Sequence, residues 1–207
     1  MINADGAIFD LDGTLWDSAE GVCIAWNEIF RNHGLSYQCT PPEMHAQMGK
    51  LMHDIFASLL PDVEENELNI IEKEACDNEE RTLERVGGML YPKLEETLSE
   101  LSKRMPLFIV SNCQSGYIEC FFAAHGLGKY FKDIECSGNT GLTKDQNIRL
   151  IAERNHLSCP VYIGDTALDG KSARKAGVPF IHAAYGFGET ADKDASIDSI
   201  SEILDII

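Results

Sequence analysis

Ala7-Ile8-Phe9-Asp10-Leu11-Asp12-Gly13-Thr14-Leu15 is a short apolar run closed by two carboxylates and a glycine. Ala7 to Phe9 predict a strand. Successive strand side chains point to opposite faces, so Asp10 and Asp12 converge only if the backbone turns between or after them. Gly13 supplies the freedom for that turn. Carboxylates at the carboxyl end of a buried parallel strand stand where open α/β folds place their ligands. One acid there serves as a structural group. Two, followed by Gly-Thr, are a costly arrangement without a metal or a reaction to serve.

Downstream of this run the periodicity is helical. Asp17 and Glu20 have the spacing of a capping arrangement, and Val22, Trp26, Ile29, Phe30 and His33 recur at helical intervals before Gly34. Thr40-Pro41-Pro42 is a break. Short amphipathic pieces follow over 43–48 and 51–60, and Pro61-Asp62 lead into a long acidic helix. That helix carries Leu68, Ile71, Ala75, Leu83 and Val86 as its apolar positions, with Glu64 to Glu80 as a solvated face, and Gly87-Gly88 end it. No strand signal occurs from 16 to 88.

From Tyr91 the texture alternates. A helix begins at Pro92, a residue suited to a first helical position. The strand Leu107 to Ser111 follows, then a helix over 115–125, a weak strand over 134–136 and a helix over 144–155. The strand Val161 to Ile163, a short helix ending at Gly177, the strand Pro179 to His182 and a last helix capped by Ser199 and Glu202 complete the chain. Strands alternating with helices of this length predict an α/β fold, a Rossmann-like parallel sheet flanked by helices. The expected organisation is a core of residues 1–15 and 89–207, with a small all-helical cap domain at 16–88.

With 207 residues the chain has ample material for a hydrophobic centre. Apolar runs such as Leu107-Phe108-Ile109-Val110 fall far short of the roughly 20 residues of a membrane span. No basic-then-apolar leader precedes the first strand, so a cytoplasmic protein is expected. The formal net charge of −17 argues against nucleic acid or an anionic membrane as partner. An anionic substrate would therefore need a metal or a few placed lysines. Seven cysteines, never in a Cys-x-x-Cys pair, predict reduced and mostly buried thiols, with Cys113 beside a strand end.

Polar groups stand at the ends of successive predicted strands: Asp10 and Asp12, then Ser111-Asn112, then Lys144 after the weak strand, then Asp165 with Asp169. In a parallel sheet those ends share one edge. Several carboxylates make a hard oxygen site suited to Mg2+. Ser111 with neighbouring backbone amides can hold phosphate oxygens, and Lys144 is a compact cation for the same anion. There is no Gly-x-x-x-x-Gly-Lys-Ser/Thr loop and no Gly-x-Gly-x-x-Gly after a strand.

These residues carry a resemblance. The chain resembles the haloacid dehalogenase-like superfamily, in its phosphoglycolate-phosphatase-like branch. The family's first motif matches Asp10-Leu11-Asp12-Gly13-Thr14, and its second, an apolar strand ending in Ser or Thr, matches Ile109-Val110-Ser111-Asn112. The third is the lone Lys144, and the fourth is Gly164-Asp165-Thr166-Ala167-Leu168-Asp169. The resemblance spans nearly the whole chain and includes a helical cap in the expected place.

The resemblance implies a Mg2+-dependent phosphatase acting on a small phosphorylated metabolite, as a monomer or homodimer. Asp10 would be the nucleophile and form an aspartyl-phosphate, and Asp12 the general acid and then base. Mg2+ would be held by Asp10, the backbone carbonyl of Asp12 and Asp165, with Asp169 ligating through water or orienting Lys144. Ser111, Asn112 and Lys144 would bind phosphate. A carboxylate 4 Å from a phosphate charge is repelled by roughly 4 kcal/mol at an intermediate dielectric, which the cation and Lys144 offset. Protonating Asp12 near neutrality requires its pKa to rise by about three units, or roughly 4 kcal/mol.

Lys144-Asp145 stands where many relatives have Lys-Pro; Asp145 either caps the following helix or lowers the potential near phosphate. In the cap, Gly49 and Lys50 are the candidates for reading the leaving group, with His45 and His53 as further polar groups. Trp16 and Asp17 sit at the expected hinge, where packing and capping suit them. A sugar phosphomutase of the same fold (β-phosphoglucomutase-like) is the alternative, although Leu15-Trp16-Asp17-Ser18 look more phosphatase-like. A non-catalytic binding protein on the fold is the third reading.

Overall fold

The computed structural model describes residues 1–207. The first strand, β1 (Gly6–Phe9), is followed by the two-residue β2 (Trp16–Asp17). Four helices come next: α1 (Ala19–Asn32), α2 (Pro41–His45), α3 (Met52–Leu59) and α4 (Glu65–Val86). The chain returns through β3 (Met89–Leu90), α5 (Leu94–Leu101), β4 (Leu107–Ser111) and α6 (Tyr117–His125). It continues with β5 (Phe131–Cys136), α7 (Ser137–Thr140), α8 (Lys144–Arg154) and β6 (Pro160–Gly164). The last elements are α9 (Ala167–Ala176), β7 (Phe180–Ala183), β8 (Ala195–Ile197) and α10 (Ile203–Ile206). No helix is long and apolar enough to cross a membrane.

Six strands form one wholly parallel sheet in the order β5-β4-β1-β6-β7-β8. Counted along the chain, this is the doubly wound order, third-second-first-fourth-fifth-sixth. The order reverses between β1 and β6, whose register pairs Phe9 with Ile163. The crevice at that reversal is where Asp10 and Asp165 emerge. Side-chain alternation covers both faces. Ala7 and Phe9 pack on the side of the larger apolar cluster, while Ile8 faces the other way with Phe108, Val110, Tyr162 and Phe180.

The helices of residues 19–86 lie over that crevice. α1 and α4 pack closely because Gly21 has no side chain; a Cβ there would lie 2.6 Å from Leu83. The predicted break at Thr40 is the start of α2, where Glu43 accepts from both the Thr40 N–H and hydroxyl.

Several details differ from the sequence reading; α5, for one, starts at Leu94 after Lys93 at φ +64°, not at Pro92. Residues 16 and 17 are extended, and Trp16–Asp17 pairs antiparallel with Met89–Leu90, a two-strand ribbon too short to leave a periodic signal. Helix α1 starts after Ser18 rather than through an Asp17–Glu20 capping pair: Asp17 accepts from the Ala19 N–H, and Glu20 is exposed. β8, the edge strand, is three residues long and was not anticipated. Val86 stands 52 % exposed although it continues the apolar spacing of α4.

Candidate active site

β1 ends at Phe9, and the turn that follows is forced by Gly13. Its φ is +79°, and a Cβ there would lie 2.1 Å from Asp165 Oδ2. Only glycine admits that approach. The turn puts Asp10 against the end of β6 and leaves Asp12 facing the helices above.

Asp10, Lys144, Asp165 and Asp169 are all buried at the sheet edge. Lys144 Nζ donates to Asp10 Oδ1 at 3.0 Å and to Asp169 Oδ1 at 2.7 Å. Asp169 is further held by the Thr166 N–H at 3.0 Å, closing a capping box at the start of α9. Both Asp169 oxygens are thus engaged within the protein, one of them with Lys144. That is the lysine-orienting arrangement. Asp165 accepts from the Phe187 N–H at 2.7 Å through Oδ2, while its Oδ1 is buried without any partner.

Lys144 pairs with Asp10 and Asp169 but not with Asp165, so negative charge is in excess at this edge. Burial and then the nearby Asp169 push Asp10 up to about 7, with Lys144 pulling back. Burial, then Asp169 and Asp10, push Asp165 up to about 8. Burial acts to lower Lys144, but attraction to Asp10 and Asp169 outweighs it and holds the ammonium above its ordinary range. One carboxylate oxygen each from Asp10, Asp165 and Asp169 lies within 4.8 Å of the others. Hard oxygens around an orphaned buried carboxylate atom fit a divalent cation such as Mg2+. The bound ion would favour the ionised forms of these acids.

Asp12 has a different environment. Ser18 Oγ donates to its Oδ1 at 2.6 Å, and the Tyr117 hydroxyl lies 2.9 Å from that oxygen and 2.7 Å from Ser18 Oγ. With Oδ1 occupied as an acceptor, Oδ2 is left to carry a proton. Burial raises the Asp12 pKa, against the pull of Ser18 and Tyr117. This is the direction a general acid requires.

Ser111, at the end of β4, is buried, and its hydroxyl accepts from the Cys113 N–H at 3.3 Å. Asn112 donates from Nδ2 to the Gly49 carbonyl at 2.8 Å and accepts from Ser137 Oγ at 3.1 Å, so it ties the sheet edge to the helical layer. Asp145 pairs with Arg149 at 2.7 Å and with the Thr143 hydroxyl, while the capping of α8 falls to Thr143 and Gln146.

Above this edge a cavity of about 40 Å3 is walled by Val22, Trp26, Met44, Met48, Met52 and Ile55, and its floor holds Asp12, Ser111 and Tyr117. Gly49, Lys50 and Cys113 also line it. The Lys50 ammonium is exposed and donates to Gln47 Oε1 at 2.7 Å. His53 pairs with Glu72 at the surface, and His45 pairs with Asp17 and stacks on Phe187 at 4.3 Å. Trp16 is core, packed edge-on to Tyr117 and Phe121.

Sequence reasoning missed Ser18, Tyr117 and Glu79. Ser18 and Tyr117 belong to no motif, although both follow motif residues closely in the chain. Glu79 had a signal: it fills the gap between Ala75 and Leu83 on the apolar stripe of α4, and it is buried there rather than solvated.

Comparison with known proteins agrees with this arrangement. The family model described as haloacid dehalogenase-like hydrolase matches residues 7–183. The chain is similar to a phosphoglycolate phosphatase of Vibrio vulnificus, 26 % identical over 217 residues that cover 96 % of this chain and 94 % of the relative. It is also similar to a phosphoglycolate phosphatase of Rhodobacter capsulatus, 28 % identical over 195 residues, covering 90 % and 87 %. Among solved structures, a haloacid dehalogenase-like family hydrolase from Streptococcus pneumoniae superposes with a TM-score of 0.85 at 23 % identity, covering 98 % of this chain and 97 % of that one.

Proposed function

The chain belongs to the haloacid dehalogenase-like hydrolase family, and on that premise we propose that it is a Mg2+-dependent phosphatase of a small phosphorylated metabolite, working in the cytoplasm through an aspartyl-phosphate. The observation that carries this reading is the pairing of two unlike acids two residues apart. Asp10 is bound to a lysine within a cluster of acids, while Asp12 keeps one oxygen under two hydroxyls and the other free for a proton.

In the first half-reaction an Asp10 oxygen attacks phosphorus, the phosphorus–oxygen bond to the alcohol breaks, and the Asp12 proton passes to the departing oxygen. In the second, Asp12 takes a proton from water as that water attacks phosphorus, and the bond to Asp10 breaks to release inorganic phosphate. Lys144 holds Asp10 in place and offsets charge on the phosphoryl group, with Ser111 contributing a hydroxyl at the phosphate end. Asp10, Asp165 and the Asp12 backbone carbonyl would hold Mg2+, which supplies positive charge to the phosphoryl oxygens when bound. We assign residues 16–88 the role of cap, with Asn112 and Gly49 as its contact to the core.

The phosphomutase reading is not favoured, because the curated relatives are named as phosphatases. A silent binding protein has no use for an acid poised like Asp12. The test is phosphate release from a generic aryl phosphate with Mg2+ and with chelator. Turnover is expected only with the metal, and Asp10→Asn should reduce it by at least about 10^3-fold with an unchanged circular dichroism spectrum. Activity within tenfold of the wild type would reject Asp10 as nucleophile.

A further inference from the structure

The cavity that meets the reactive edge holds a second acid with no role in the chemistry above. Glu79 comes from the middle of α4, is 2 % exposed, and lines the same space as Asp12 and Ser111. The Trp26 indole N–H donates to its Oε2. Burial raises its pKa to about 8, with Trp26 and then the neighbouring Gln114 side chain pulling back. The carboxyl is therefore largely neutral at neutral pH and offers a hydroxyl donor and a carbonyl acceptor among methionines and aliphatic side chains.

The cavity has no cation to spare. Lys144 is engaged by Asp10 and Asp169 beneath, and the Lys50 ammonium is turned to Gln47 at the surface. The other polar groups of the lining, Asp12, Ser111, Asn112, the Cys113 thiol and Tyr117, and the Gln114 side chain beside Glu79, are acids or neutral. A carboxylate entering here would lose its water without gaining a countercharge, and a neutral Glu79 would give it one hydrogen bond only. An alcohol hydroxyl can both donate to Glu79 and accept from it at no charge cost. The small volume confines the group to a few atoms.

We propose that Glu79 reads the leaving group, so that the pocket takes phosphomonoesters whose alcohol part is short, uncharged and hydroxylated, and rejects those ending in a carboxylate. This rests on the phosphatase reading above and narrows it, because it sets this chain apart from relatives named for phosphoglycolate.

The test compares 2-hydroxyethyl phosphate with phosphoglycolate, which share a two-carbon frame and differ in hydroxyl against carboxylate, beside an aryl phosphate as reference. The wild type is expected to favour hydroxyethyl phosphate by at least about tenfold in kcat/KM, mainly through KM. Glu79→Leu, which keeps the approximate size but has neither donor nor acceptor, should change that ratio by at least about threefold. Equal or better use of phosphoglycolate by the wild type overturns the proposal, whether or not the variant folds. So does an unchanged ratio in a folded Glu79→Leu. Absence of turnover even on the aryl phosphate would instead sink the phosphatase reading itself.

Discussion

The sheet edge and the helical layer above it both bury acids, and they neutralise them in opposite ways. At the edge, Asp10 and Asp169 share Lys144 while Asp165 has no cation of its own, and the leftover negative charge is suited to a divalent cation. In the helical layer, Glu79 has an indole N–H and no cation, so it is neutralised by keeping its proton. Paired charge fixes geometry and can act on a phosphoryl group. Glu79, a protonated acid with no part in the phosphoryl chemistry, is left to recognise. The difference separates a place for chemistry from a place for selection.

Removing the shared cation should break the first region most severely. Lys144→Met leaves Asp10 and Asp169 facing each other in the interior, and the expected loss of stability is about 3 kcal/mol, read from urea unfolding. An unchanged unfolding midpoint would mean that the edge does not depend on its lysine.

The second region should respond in the other direction. The folded protein keeps the Glu79 proton between the ordinary value of 4.5 and about 8, whereas the unfolded chain releases it. Stability from this group is therefore fully present below 4.5 and is lost as the pH rises towards 8. Glu79→Gln removes that loss, so the variant should gain on the wild type by on the order of 2 kcal/mol between about pH 6 and pH 8. A difference in Tm that stays flat with pH would show that Glu79 is not a buried neutral acid.

The smallest effect is expected at Lys50. Its ammonium is exposed and bonded to Gln47 in the same turn, so Lys50→Ala should change kcat/KM for any substrate by less than about twofold. A larger, substrate-dependent change would move recognition from Glu79 to Lys50.

The two regions were also unequally legible in the sequence. Asp10, Asp12, Ser111 and Asp165 follow or close strands, with Lys144 and Asp169 in the first turns of α8 and α9, and a parallel sheet gathers its strand ends and the helix starts beyond them onto one edge whatever the spacing between them. Residues in the middle of a helix have no such rule. Which face of α4 turns inward depends on how α1 and α6 pack against it, and an acid in an acid-rich helix looks solvated until that packing is known. Glu79 was therefore hidden although its place on the stripe was readable, and Gly49-Lys50, the more obvious loop, sends its charge outward. Ser18 and Tyr117 reach Asp12 only because α1 and α6 meet above the turn at Gly13, a tertiary fact with no local trace.

The central claim is that Asp10 itself becomes phosphorylated. Asp12→Asn removes the group that activates water, so the phosphoryl-enzyme should persist after exposure to an aryl phosphate with Mg2+. Acid quenching, proteolysis and mass spectrometry should then find one added phosphoryl group on the peptide containing Asp10. A phosphoryl group on any other peptide, or none under conditions where the wild type turns over, would contradict the account.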